Sequence, residues 1–122
     1  MGLESYQQGI KGEELAAKYL VQQGYEILEK NFRSQQGEID LVARDRQILV
    51  FVEVKNYSFK SYGSPLSAVR KSKRESIVHA ARTYLLKNKI KNVNCRFDVL
   101  TVYRRADGSR AIDLYKNAFV VR

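Results

Sequence analysis

The stretch Gly37-Glu38-Ile39-Asp40-Leu41-Val42-Ala43-Arg44-Asp45-Arg46-Gln47-Ile48-Leu49-Val50-Phe51-Val52-Glu53-Val54-Lys55 decides the fold. Two strand-like runs, Glu38 to Arg44 and Ile48 to Asn56, flank the polar break Asp45-Arg46-Gln47, which is the pattern of a tight hairpin. Both runs carry acids where a core strand should be apolar. Asp40 sits between Ile39 and Leu41, and Glu53 lies inside the most hydrophobic stretch of the chain. An unpaired buried charge costs on the order of several kcal/mol of desolvation, so these acids need a reason. Side chains alternate along a strand, so Glu38 and Asp40 share one face, as do Glu53 and Lys55. With Arg46 and Gln47 as the central pair of the turn, Asp40 falls opposite Glu53 and Glu38 opposite Lys55, with opposed β-carbons about 5 Å apart. All four side chains are then expected on one face.

Upstream, Leu3, Tyr6, Ile10, Leu15, Ala16, Tyr19 and Leu20 recur at helical spacing, and Gly24 predicts a helix end near Gln23. A strand from Tyr25 to Arg33 then completes a small antiparallel meander with the hairpin. Downstream, Tyr57 to Leu66 mixes Ser, Gly and Pro with aromatics and reads as an exposed loop before a second helix, Ser67 to Asn88. Strands return at Cys95 to Arg104 and Ala111 to Tyr115, with Asp107-Gly108 as the turn. The order is α-β-β-β-α-β-β, expected as a single α/β domain over residues 1–122 with a mixed central sheet flanked by helices. At 122 residues and 14.1 kDa the chain supports one core, and 44% hydrophobic with 29% charged residues places it in the globular class.

Composition also excludes functions. The longest apolar run, Ile48 to Val52, is far shorter than the roughly 18 residues of a membrane span, and no signal-peptide hydrophobic region opens the chain. A soluble cytoplasmic protein is expected, with no membrane partner. One cysteine, Cys95, rules out an internal disulfide and any cysteine-only metal site, and it is expected as a small buried hydrophobe. One histidine, His79, rules out a histidine-based triad or zinc site and is expected to be structural or solvated. The net charge of +9 is uneven: residues 1–69 sum to −1 and residues 70–122 to +10. A polyanion is the natural partner of the second part.

Two carboxylates side by side without histidine, and a lysine two residues on, form a hard-oxygen site suited to Mg²⁺ or Mn²⁺. The competing reading is a solvated strand face on which Glu38 and Lys55 form a cross-strand salt bridge. Helix two adds an independent hint, because Lys73 falls in the middle of the apolar sector formed by Val69, Ile77, Ala80 and Tyr84. Its ammonium either snorkels to water or reaches toward the carboxylates or a bound phosphate. Arg70, Lys71 and Arg74 lie outside that sector, where they can track a phosphate backbone or simply be solvated. Arg96 and Asp98 alternate with Cys95, Phe97 and Val99 and are expected as a local ion pair on the second face of the sheet.

The spacing of Asp40 and Glu53-Val54-Lys55 on a hairpin after an N-terminal helix resembles the PD-(D/E)XK nuclease superfamily. More closely, Gly12-Glu13, Gly24-Tyr25, Asn31-Phe32-Arg33, Gly37-Glu38-Ile39-Asp40-Leu41-Val42, Phe51-Val52-Glu53-Val54-Lys55, Gly63, Lys73 and Arg96-Phe97-Asp98-Val99 look like the YraN-type family, related to archaeal Holliday-junction resolvases. The resemblance runs from about Gly9 to Val102. It implies a restriction-endonuclease-like fold and a metal-dependent endonuclease acting on DNA, branched or flapped structures included. Asp40, Glu53 and the main-chain carbonyl of Val54 would hold the metal, and Lys55 would orient or activate the water. Glu13 matches the helix glutamate that reaches toward the metal in resolvase-like relatives, Glu38 beside the site would contact substrate or a metal-bound water, and the Arg96–Asp98 block would be a neighbour of the site. A homodimer is the expectation by analogy. Many family members carry a basic residue two places after the lysine, where this chain has Tyr57; with Phe59 and Tyr62 it would stack on bases or plug the loop onto the sheet. The rival function is a non-catalytic nucleic-acid-binding module of the same fold in a larger complex. A protein-interaction domain with incidental charge is a third.

Overall fold

Ala16 and Leu20, four residues apart on one helical face, are fully buried on helix α1 (Leu3–Gln22). The helix closes where Gly24 takes a φ of 94° and the Tyr25 N–H donates back to the Leu20 carbonyl at 2.9 Å, an arrangement that needs a residue without a β-carbon penalty. Three strands follow: β1 (Glu26–Ser34), β2 (Gly37–Asp45) and β3 (Ile48–Ser58). Helix α2 (Lys71–Lys87) then leads to β4 (Asn94–Arg104) and β5 (Arg110–Tyr115). This computed structural model describes residues 3–58 and 71–118.

The strands form one five-stranded sheet in the order β1-β2-β3-β4-β5. Only β3 and β4 pair in parallel, because only they are joined through a helix; the other neighbours are antiparallel. The element order and the mixed α/β sheet agree with the expectation from the sequence.

Each face of the sheet is covered by one helix. Ile77, Ala80 and Tyr84 of α2 pack on Phe32, Val42, Leu49, Phe51, Phe97 and Val99, with Tyr84 meeting Phe32 edge-on at 5.2 Å between ring centroids. Ala16, Ala17 and Leu20 of α1 pack on Leu41, Ala43, Val50, Val52, Leu100 and Val102. Strand β3 is thus apolar on both faces over Leu49 to Val52, which is why its sequence reads as a continuous hydrophobic run rather than an alternation.

The β2–β3 hairpin has the expected register from Asp45 opposite Ile48 to Leu41 opposite Val52, with Arg46 at φ 60° in the turn. The ladder then stops. The expected direct pairings of Asp40 with Glu53 and of Glu38 with Lys55 do not form, because alternation breaks at Asp40. Ile39 packs in the α2 cluster whereas Leu41, two residues on, packs in the α1 cluster. On the partner strand, Asn31 carries a φ of 53° between the Lys30–Leu41 and Phe32–Ile39 pairs. A left-handed residue there rolls the β1–β2 ribbon and carries its tip toward α2, away from the end of β3.

Other boundaries shift slightly. Tyr57 and Ser58 belong to β3 rather than to the loop, and the remaining loop residues to Leu66, with the start of the second helix, lie outside the described residues. Asp107 and Gly108 sit inside a longer connection, closed by Arg105 N–H on the Ser109 carbonyl at 2.8 Å, rather than forming a two-residue turn. Cys95 is exposed, not buried, because it stands at the entry of β4 rather than in the strand's covered middle. His79 is exposed on α2, as its solvated reading had it.

Candidate active site

The opening of the β2–β3 ladder leaves the N–H of Val54 without a strand partner, and the Asp40 side chain takes it: Val54 N donates to Asp40 Oδ2 at 2.7 Å. In an extended strand the N–H and C=O of one residue point to the same side, so the Val54 carbonyl also faces the gap. Glu53, 5% exposed, projects from the α2 face of β3. Its Oε1 is 3.1 Å from Lys55 Nζ and 3.7 Å from Lys73 Nζ, and among the described residues no partner takes Oε2. Lys73 therefore does not merely snorkel; from the apolar face of α2 it reaches the carboxylates.

Charge at this point is under-compensated. Burial, and then the nearby Glu53 carboxylate, push Asp40 up to about 7, against the lowering effect of its Val54 hydrogen bond and of Lys73. Glu13 also raises it, which places the α1 glutamate within electrostatic reach of the cluster. The close approach of α1 explains that reach. A β-carbon at Gly12 would occupy the space of the Asn56 side chain, so the helix backbone lies directly against the strand residue that follows Lys55. The sequence signal for this contact is a glycine inside a helix, where it costs about 1 kcal/mol against alanine.

The donor set fits a small divalent cation. It offers two carboxylates and a main-chain carbonyl, with no cysteine or histidine nearby, since Cys95 and His79 are exposed elsewhere. Among the described residues no three His, Cys, Asp or Glu side chains converge as a closed cage. That is the norm for Mg²⁺, which keeps several waters and takes only one or two protein carboxylates.

Of the residues expected at the site, the structure brings together Asp40, Glu53, Val54, Lys55 and Lys73, with Glu13 at its margin. Glu38 stands apart: its ion pair is with Arg33 at 3.5 Å, not with Lys55, because the ribbon roll turns it outward. Arg74 is exposed on α2 and Tyr57 is half-buried at the end of β3. Arg70 and the side chain of Lys71 lie outside the described residues, as do Phe59, Tyr62 and Gly63. Arg96 and Asp98 do pair, Nε to Oδ1 at 2.9 Å, but on the α1 face and not beside the cluster. There Arg96 also donates to Asp45 at 3.1 Å and to the Tyr25 hydroxyl at 2.6 Å, a convergence of Tyr25 and Asp45 that sequence spacing did not reveal.

The model of the uncharacterised protein family UPF0102 matches residues 12–102, which includes every residue of the cluster. The chain belongs to that family. It is 45% identical to a UPF0102 protein of Trichlorobacter lovleyi over 91% of this chain and 88% of the relative. A UPF0102 protein of Clostridium perfringens is 43% identical over 93% of each chain. A third, from Pelobacter propionicus, is 45% identical over 91% of this chain and 81% of its own. These UPF0102 matches are consistent with the YraN-type resemblance of the short sequence blocks. No helix among the described residues is long and apolar enough to cross a membrane.

Proposed function

We propose that this UPF0102 protein is a Mg²⁺- or Mn²⁺-dependent endonuclease that hydrolyses phosphodiester bonds in DNA, with branched or flapped structures as the favoured substrates. The observation that carries the reading is the meeting of Asp40 and Glu53 where the β2–β3 ladder opens, with two lysine ammonium groups on Glu53 Oε1. A solvated face does not keep an acid as buried as Glu53, and a structural ion pair does not leave its neighbour Asp40 raised to about 7.

Asp40, Glu53 and the Val54 carbonyl would hold the ion, which when bound lowers the pKa of a coordinated water and offsets charge on the phosphate. Lys55 holds the attacking water in line and donates to a non-bridging phosphate oxygen as charge builds there. Lys73, which reaches the same Glu53 oxygen from α2, supplies a second cation to that phosphate. Glu13 orients water at the margin of the site. The hydrogen bond from Val54 N–H keeps the Asp40 carboxylate turned toward Glu53. The positive second part of the chain supplies sequence-independent grip that weakens as salt rises.

The test is cleavage of labelled duplex, single-stranded, flapped and four-way-junction DNA with Mg²⁺, Mn²⁺ or EDTA. Metal-dependent cutting is expected, reduced by about 10²-fold or more in Asp40→Asn and Lys55→Ala while binding survives. Binding without cutting on every substrate would replace the enzyme with a nucleic-acid-binding module.

A further inference from the structure

A second polar surface opens directly from the cluster. The β1–β2 turn and α2 enclose a shallow groove of about 540 Å³ whose lining includes Arg33, Gln35, Gln36, Glu38, Lys73 and Ser76. That volume is within the ligand-sized range of about 300–1,000 Å³. Lys73 belongs to both places: it lines the groove and its Nζ is 3.7 Å from Glu53. The turn is held against the helix, because a β-carbon on Gly37 would strike the main-chain carbonyl of Ser76. The groove is thus fixed relative to the lysine that leads into the cluster.

The groove is also chemically unfinished. Ser34 Oγ donates to the Gly37 carbonyl at 3.1 Å and accepts from Gln36 N–H at 3.4 Å, so the turn satisfies its own backbone. Among the described residues the side-chain amides of Gln35 and Gln36 have no partner, and both residues are exposed. Among the described residues Arg33, its side chain 78% exposed, pairs with Glu38 alone, at 3.5 Å, an open contact that contributes little to stability. Two cations and two free amides beside a phosphodiester-type site form a set that complements a polynucleotide strand: charge for phosphates, and amides that both donate and accept for base edges or sugar hydroxyls. Gly37 stands three strand residues from Asp40, about 10 Å, so a single bound strand can reach both the groove and the cluster.

We propose that this groove holds the nucleic-acid strand on one side of the reacting phosphate, with Arg33 and Lys73 on phosphate oxygens and Gln35 and Gln36 on the nucleotides between them. The assignment rests on reading the cluster as a phosphodiesterase centre, and its test separates the two. In EDTA, where cutting is suppressed, the affinities of fluorescent single-stranded DNA, duplex DNA, four-way junction and single-stranded RNA are measured by anisotropy at two salt concentrations. The variants are Gln35→Glu/Gln36→Glu and Gln35→Lys/Gln36→Lys, with melting temperature as the folding control. The acidic pair should weaken binding by about tenfold and the lysine pair should tighten it and steepen the salt dependence by about one to two contacts, with melting unchanged. The polymer with the larger response identifies the strand.

As a second readout, Gln36→Cys in a Cys95→Ser background should displace the small thiol from an oligonucleotide whose tether near the scissile position carries an activated mixed disulfide, forming a protein–oligonucleotide disulfide by exchange. Affinities within twofold of wild type for both charge variants, or no binding of any nucleic acid, would overturn the groove. Charge-dependent binding without cutting on any substrate would sustain the groove and sink the nuclease. Cutting that ignores both charge variants would do the reverse.

Discussion

Arg96 and Asp98 on β4, and Glu53 and Lys55 on β3, are both charge pairs at i and i+2 on neighbouring strands in parallel register, yet they were built for different ends. Asp98 is fully buried and every contact around it is filled: two bonds from the Arg96 guanidinium, one from the Tyr25 hydroxyl at 3.4 Å and one from Asn117 N–H at 2.9 Å. Its neighbours respond accordingly. The Asp98 hydrogen bonds hold Arg96 firmly protonated, and burial with the Asp98 charge pushes Tyr25 up to about 12. The Glu53 cluster has the reverse balance, with Asp40 raised toward neutrality and, among the described residues, both lysine contacts to Glu53 falling on a single oxygen, Oε1. A saturated network stabilises a fold, whereas an unsaturated one is available to a ligand.

The largest effect should come from Arg96→Ala, which leaves Asp98 buried and uncompensated and should cost about 3–5 kcal/mol in denaturant unfolding. A loss below about 1 kcal/mol would mean that the Arg96 bonds are not what holds this network together. Next is Asp40→Asn, with the opposite sign. Asparagine keeps an acceptor for Val54 N–H and removes the charge beside Glu53, so at pH 8 without metal the variant should be more stable by about 1–3 kcal/mol.

The same site gives a pH dependence. The Asp40 value rises from 3.8 unfolded to about 7 folded, so the folded protein holds a proton that the unfolded chain releases. The associated stability is complete below about pH 4 and is lost as pH rises through about 7. Melting temperature without metal should therefore fall over that window in wild type and fall less in Asp40→Asn. Millimolar Mg²⁺ or Mn²⁺ should recover the loss in wild type alone, read by calorimetry at pH 8. Smaller again, Tyr25→Phe removes one hydroxyl from the saturated network and should cost about 1–2 kcal/mol. Smallest is Arg33→Ala, an exposed ion-pair residue, which should change unfolding by less than about 0.5 kcal/mol; a larger change would make Arg33 structural rather than a groove residue.

Much of this contrast is legible in the amino-acid sequence. Lys73 stood out because a lysine in the middle of an apolar helical sector conflicts with its surroundings, and Glu53 because an acid interrupts an apolar strand. Glu38 was misplaced for a definite reason: strand alternation carries a side chain to a face only while the ribbon stays regular, and the left-handed Asn31 rolls it. Tyr25 and Asp45 were missed because their meeting with Arg96 joins a helix end, a hairpin turn and a strand that are distant in sequence.

Hydrophobic period, turn residues and charge placement are local properties, so the order of elements, the hairpin register near its turn and the identity of the unusual acids follow from the chain's residues alone. The tertiary structure alone decided where that hairpin opens, which of two polar clusters is filled, and that the β1–β2 turn meets α2 in a groove beside Lys73. Those outcomes depend on how far one element rolls or approaches another, and that is settled by packing across the whole core rather than by any segment's own preference.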